Sequence, residues 1–351
     1  MTFSAPQPKP ATKPPSADTG SEQPILELSN ISKRFTKRID IAARLLNLAG
    51  ATYKDKVVHA VDRVDLQVAR GEVVGLIGES GCGKSTLGRV VAGIHQPSDG
   101  TLAFKGRNLA SMAAHDALDA SIKIQMIFQD PMSSLNPRKR VIDTVGEAPV
   151  FHGIVQQNDI EDYVDQLLER VGLNRDAKRR LPHQFSGGQR QRIGIARALA
   201  VQPEFLVCDE AVAALDVSIQ AQILNLFMDL RTDFDLTYLF ISHDLGVVHH
   251  IADRIVIMYL GRVVEMASNA DLFSSPNHPY TQALLADVPR IDRRRQTYTP
   301  IKGELPSPLN PPTGCHFHPR CPFAMKRCSE ETPKLREIAP GRLSACHLND
   351  G

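Results

Sequence analysis

The chain of 351 residues has no tryptophan, and its aromatic residues together make up only 5% of it. Nor does it contain an apolar run approaching the roughly 20 residues that a membrane-spanning helix needs. If this protein works at a membrane, another chain must do the crossing. A positively charged start followed by an apolar stretch is also missing, so no secretory leader is expected. Charge of one sign does not dominate either. The 41 Lys and Arg stand against 39 Asp and Glu, a net +2 that predicts no basic face for nucleic acid. Cysteine is scarce until the end: Cys82 and Cys208 stand alone and read as small packing residues, whereas Cys315, Cys321, Cys328 and Cys346 crowd together near the C-terminus. In the reducing compartment expected of a chain without a leader, such a group favours a metal over disulfides.

What is present is an ordinary globular balance, 42% hydrophobic and 23% charged, enough for one large domain with an appendage or for two domains. Residues 1–23, rich in Pro, Ser, Thr and Lys, read as a disordered tail. Alternating sequence from Ile25 predicts a strand, residues 38–56 a surface hairpin or helical insert, and VVHAVDRVDLQVARGEVVGLIG two strands around the Arg70–Gly71 turn. A polar, helix-rich segment spans about 131–200. From Phe205 onward strands and helices alternate: strand FLVCDE, helix 217–230, strand LTYLFIS and helix LGVVHHIA, then a closing hairpin, IVIMYLGRVVEMAS. This alternation predicts an α/β fold whose parallel sheet is covered on both faces. Beyond about Ser274 the composition turns to Pro, Arg and Cys, which sets a main domain of 24–273 apart from a C-terminal unit of 274–351.

Gly78-Glu79-Ser80-Gly81-Cys82-Gly83-Lys84-Ser85 fits the G-x-x-x-x-G-K-[ST] phosphate loop, set between an apolar strand and the helical TLGRVVAGI. Its glycines let successive backbone N–H groups turn inward around a β-phosphate, and the next helix adds its positive end. Lys84 would reach the β- and γ-oxygens, Ser85 would ligate Mg²⁺ and Thr86 would hold a phosphate. FLVCDE ends a buried strand in two acids. Asp209 is suited to hold Mg²⁺, and Glu210, one position on, to polarise an attacking water. Gln129, at the end of IKIQMIFQ, would touch the metal or that water. His243, at the end of LTYLFIS, would hydrogen-bond the γ-phosphate and brace Glu210. Each polar strand tip is commonplace alone; together they are expected at one edge of one sheet.

Ser186-Gly187-Gly188-Gln189, ahead of RQRIGIARALA, reads as an anion-binding nest that feeds a helix N-terminus. In this order GESGCGKST, FQDP, FSGGQRQR, FLVCDE and ISHD resemble the ATPase subunit of an ABC transporter. The resemblance implies a P-loop ABC ATPase fold: a mixed sheet core, a helical subdomain over about 131–200 and an antiparallel β subdomain, with a small Cys-rich C-terminal appendage. It implies ATP and Mg²⁺, and a head-to-tail dimer with a homologous ATPase in which Ser186 and the glycine amides meet the γ-phosphate bound to the partner. Asp216 would lie at that seam. Adenine in this family stacks on an aromatic residue upstream of the phosphate loop, with Tyr53 the nearest candidate and Phe35 the runner-up. The family usually reads DEP-x-[ST]-ALD, whereas Ala211 and Ala213 stand here; the first loosens the turn after Glu210, the second removes a polar contact, and neither deletes a catalytic group.

FQDPMSSLNPR, PHQFSGGQRQRI, LDVSIQAQILNL and NHPYTQALL resemble, over roughly residues 25–350, the ATPases of the oligopeptide, dipeptide and nickel importers. That branch implies peptide import, with nickel as the alternative, at the cytoplasmic face of a bacterial membrane. It implies two permease subunits, docked by a coupling helix on the segment after Gln129, and an extracytoplasmic substrate-binding protein acting indirectly. Some members carry a [4Fe–4S] cluster on cysteines spaced as Cys315, Cys321, Cys328 and Cys346 are; zinc or unligated thiols are the alternatives. His316, His318 and His347 read as exposed polar residues, and NHPYTQALL is assigned no chemistry. A soluble ABC ATPase of DNA repair or translation is the rival, though the tandem domains or long coiled coil usual there are absent. A regulatory partner that only binds ATP is the second rival, to which the two alanines lend weight.

Overall fold

The structure, a computed structural model, describes residues 23–37, 55–286 and 303–350. The expected tail and insert lie outside these residues, apart from Gln23, Asp55 and Lys56, and Tyr53 lies outside them too. The strands are β1 (Leu26–Lys37), β2 (Lys56–Val68), β3 (Val73–Ile77), β4 (Asp99–Phe104), β5 (Arg107–Asn108), β6 (Ile124–Ile127), β7 (Phe205–Asp209), β8 (Thr237–Ser242), β9 (Arg254–Tyr259), β10 (Arg262–Ser268), β11 (Arg336–Ala339) and β12 (Arg342–Ser344). They form one sheet in the order β2-β1-β4-β5 and a second in the order β11-β12-β10-β9-β3-β8-β7-β6. Strands β9, β3, β8, β7 and β6 run parallel, and β10 closes on β9 as the expected antiparallel hairpin.

Side chains alternate across a strand, and the alternation sorts the large sheet into two cores. Val74, Leu76, Val207, Leu239 and Ile241 point toward the small sheet, against Leu26 and Leu28 of β1 and Leu87, Val90 and Val91 of helix Lys84–Val91. Ile77, Leu206, Cys208, Tyr238 and Phe240 face the opposite way, toward helices Gly187–Leu199 and Val217–Phe234. Helices Val141–Phe151 and Ile160–Arg170 complete a helical layer on the same side, with a buried pair between Lys178 Nζ and Asp165 Oδ2 at 2.8 Å.

Some bounds differ from expectation for local reasons. Ile122 and Lys123 finish helix Ala114–Lys123 instead of starting a strand, so β6 is only four residues long and Gln129 lies on the loop beyond it. Helix Val217–Phe234 runs past residue 230 until Asp235, whose left-handed φ of 53° caps it. The residues beyond Ser274 are not a free-standing unit. β12 pairs with the open edge of β10, Glu265 opposite Ser344, and β11 pairs with β12, so the C-terminal region is hydrogen-bonded into the main sheet.

Two of the histidines expected on the surface are buried. His316 places Nδ1 3.0 Å from Leu260 O, and His347 uses Nε2 on Glu331 O at 3.0 Å. His318 is half-buried, with Nδ1 2.9 Å from Cys315 O. Burial holds His278 near pKa 4, and burial together with the Arg262 charge does the same to His316. The unfolded chain protonates these groups near pH 6.5 and the folded chain only near 4, so their contribution to stability is full above about 6.5 and is lost as pH falls toward 4. Urea midpoints of the full chain should therefore drop from pH 7 to 5, more shallowly in His316→Gln; an equal slope in the two proteins would refute this.

Candidate nucleotide site

Strands β6, β7, β8 and β3 end level with one another. Ile127 pairs with Cys208, Asp209 with Ile241, and Ile77 with Ser242, so the residues just beyond them meet at one edge. At the end of β3 the chain enters the glycine-rich loop. A Cβ on Gly78 would lie 2.2 Å from Met258 O, and one on Gly83, at φ 108°, would lie 2.1 Å from Ala60 O. These two contacts demand glycine. Gly81, by contrast, meets nothing within 4 Å and only needs its φ of 80°, while Ser80 is exposed and Thr86 half-buried in the following helix. Cys82 is buried, as expected of a packing residue.

Lys84 is 4% exposed, and its Nζ donates to Gly78 O at 2.7 Å and Glu79 O at 3.0 Å. The ammonium is thus held inside the loop by the loop's own carbonyls. Ser85 Oγ donates to Asp209 Oδ1 at 2.8 Å. Burial pushes the Asp209 carboxyl above its ordinary value, against the opposing pull of the Ser85 hydroxyl and of Arg89. A desolvated carboxylate beside a hydroxyl is a donor set of hard oxygens that fits a divalent cation.

Glu210 lies one residue past β7 in left-handed backbone, φ 48°, with its N–H on Ile241 O at 3.0 Å. Such a conformation in a residue with a side chain costs on the order of 1–3 kcal/mol and is kept only where the surroundings impose it. Here Gln129 Nε2 donates to Glu210 Oε2 at 2.7 Å and His243 Nδ1 lies 3.3 Å from Oε1. The turn that follows is closed by Ala213 N–H on Glu210 O at 3.0 Å, with Ala211 buried.

The Ser186 turn caps helix Gly187–Leu199 reciprocally. Ser186 Oγ accepts from Gln189 N at 3.3 Å and Gln189 Oε1 accepts from Ser186 N at 3.1 Å. Ser186, Gly187 and Gln189 are exposed, while Gly188 packs where a Cβ would lie 2.5 Å from Ile219 Cγ2. Of the two adenine candidates only Phe35 is described; its ring is exposed and edge-on to His95, with centroids 5.4 Å apart.

The expected metal centre at the four C-terminal cysteines finds no support in their placement. Burial, more than the neighbouring thiols of Cys328, Cys346 and Cys321, raises Cys315 to about 11, and burial raises Cys321 and Cys346 as well. Cys328 Sγ accepts from Met325 N at 3.5 Å. Among the described residues no three His, Cys, Asp or Glu side chains form a group able to hold a metal ion, so a [4Fe–4S] cluster is not supported.

Two neighbours of the loop escaped the sequence reading. Tyr280 Oη accepts from Glu79 N at 2.9 Å, and Arg320 grips the Glu79 carboxylate with both guanidinium nitrogens, at 2.7 and 3.0 Å. The only signal was the conspicuous HPY triplet, residues 278–280, which carried no evident chemistry.

An edge of this kind suits a nucleoside triphosphate with a divalent cation, the arrangement of a phosphate-loop nucleoside triphosphatase. The profile of the ABC transporter family matches residues 61–213, and that of the oligopeptide/dipeptide transporter C-terminal region matches residues 264–328. The oligopeptide transport ATP-binding protein AppF of Bacillus subtilis is 46% identical over 333 residues, 93% of this chain and 98% of that one. The dipeptide transport ATP-binding protein DppF of Haemophilus influenzae is 46% identical over 298 residues, covering 85% of this chain and 91% of its own. Among solved structures, cbiO1 of Clostridium perfringens, part of the ABC transporter complex cbiONQ, superimposes with a TM-score of 0.58 at 26% identity, over 72% of this chain and 92% of its own. The chain belongs to the ABC transporter ATP-binding family, and it is an ATPase of that family.

Because burial raises the Asp209 pKa, its ionisation at neutral pH costs the nucleotide-free fold stability. Asp209→Asn should therefore unfold at higher urea than wild type without nucleotide, and should lose the stabilisation that ATP with Mg²⁺ gives wild type. A lower midpoint for the nucleotide-free variant would contradict the placement.

Proposed function

We propose that this chain powers a bacterial importer of peptides, hydrolysing ATP as one of two homologous ATPases that sit on two permease subunits. The observation that carries the chemistry is the bracing of Glu210 by Gln129 and His243 beside the Ser85–Asp209 pair. Mg²⁺, held by Ser85 and Asp209, would supply neutralisation of the phosphate charge when bound. Lys84, steadied by the loop carbonyls, would meet the β- and γ-oxygens. Glu210 is aimed at the lytic water by the Gln129 amide, and His243 supports the carboxylate from its other oxygen while facing the γ-phosphate position. Phosphate loop, nest and helix N-terminus bind and orient; Glu210 takes the water proton.

The exposed Ser186-Gly187-Gly188 turn is best used on the γ-phosphate of the second ATPase, with this chain's own site completed reciprocally. Among the described residues no helix is long and apolar enough to cross a membrane. Attachment to the cytoplasmic face then falls to the permeases. A cavity of about 460 Å³ between Ser134, Lys139, Glu147, Phe151 and Arg197, with the Phe151 side chain exposed, suits a coupling helix. The peptide cargo rests on the likeness to AppF and DppF; nickel is the alternative cargo.

The complex isolated from native membranes should contain two permeases and a second ATPase, and should take up labelled oligopeptide or dipeptide in preference to ⁶³Ni²⁺. Glu210→Gln should slow single-turnover loss of ATP at this chain's own site roughly a hundredfold, with binding of MgATP retained. Hydrolysis at full rate would remove Glu210 from its role.

A further inference from the structure

We propose that Tyr280 and Arg320, both far from the chemistry in sequence, are positioning residues of the phosphate loop that fix Glu79 and, through it, Lys84. The inference rests on the reading of Lys84 as an ATP ligand. Every polar group of Glu79 is held by a different part of the chain. Its N–H goes to the Tyr280 phenol at 2.9 Å, its carbonyl to Lys84 Nζ at 3.0 Å and its carboxylate to both nitrogens of the Arg320 fork. A bidentate guanidinium–carboxylate pair fixes direction as well as distance. The Arg320 side chain is 7% exposed and that of Glu79 25%, so the pair is largely withdrawn from water.

The anchors are themselves immobilised. Tyr280 is fully buried, edge-on to Tyr259 with centroids 4.7 Å apart. Its backbone N–H donates to His278 Nδ1 at 3.1 Å, and the N–H groups of Asn277 and His278 donate to the buried Glu265 carboxylate at 2.7 and 2.8 Å. Strand β10 thereby sets the height of the phenol. Arg320 ends the short turn His318–Arg320 and also reaches Tyr259 Oη at 3.3 Å. Since the Lys84 ammonium leans on the carbonyls of Gly78 and Glu79, turning the Glu79 peptide moves the charge that meets the nucleotide.

A merely adhesive ion pair would lower stability and leave ATP affinity alone, and this is the distinction to measure. The full-length protein, as wild type, Arg320→Met, Tyr280→Phe, Glu79→Gln and the double variant Glu79→Gln/Arg320→Met, is titrated with MgATP and melted without nucleotide. Arg320→Met leaves the Glu79 carboxylate unpaired and should weaken MgATP binding about tenfold. Tyr280→Phe keeps the ring packing and should weaken it severalfold with little change in melting temperature. The double variant should bind no more weakly than Arg320→Met alone, because both changes remove one interaction. Unchanged affinity in Arg320→Met and Tyr280→Phe, or losses that simply add in the double variant, would overturn the proposal; should Arg320→Met fail to fold, Tyr280→Phe decides it. A wild type that binds no MgATP would instead overturn the ATPase reading on which this one stands.

Discussion

The parallel pairing of β6, β7, β8 and β3 makes their C-terminal ends coincide, and the site depends on that coincidence. Residues 78, 129, 209–210 and 243 are scattered over much of the chain, yet the register places Ile77 against Ser242 and Asp209 against Ile241. A slip of one residue would send alternate side chains to the wrong core and displace a polar tip from the edge. The register is protected because the strands are buried on both faces: Val207 and Cys208, adjacent in sequence, each fill a different core. Helical and antiparallel layers can then be read as the two covers that keep this sheet in place.

The polar groups of the edge satisfy one another. Lys84 rests on loop carbonyls, Ser85 on Asp209, and Gln129 and His243 on Glu210. Buried donors and acceptors left unpaired would be costly, and Lys84 and Asp209, the buried members of the set, are each paired within the chain. Asp209 makes the arrangement responsive. Burial raises its pKa in spite of the nearby Arg89 and Lys84 charges, so a divalent ion bound there would favour the ionised carboxylate.

Short apolar runs ending in polar tips made the parallel strands legible in the sequence, and the glycine-rich loop made their shared edge legible as well. Other features depend on contacts that no local pattern encodes. IKIQMIFQ reads as one strand, but its first residues finish a helix, and only the pairing of Ile124 with Phe205 decides where strand begins. REIA and RLS are too short to show a period; they become β11 and β12 because β10 leaves an edge open. His316 and His347 looked like surface residues because the backbone carbonyls that accept them, Leu260 and Glu331, lie elsewhere in the chain.

The β9–β10 hairpin joins these themes. Met258 O packs on Gly78, Gly261 N–H donates to Cys82 O at 2.8 Å, and Leu260 O receives His316. One tight turn is therefore a wall of the phosphate loop on one side and a seat for the C-terminal region on the other. Close packing transmits displacement instead of absorbing it. A shift of the C-terminal region strong enough to disturb β12 on β10 must be felt at the carbonyls that close the loop. The C-terminal region thus touches the glycine-rich loop through Tyr280 and Arg320 and the main sheet through β12.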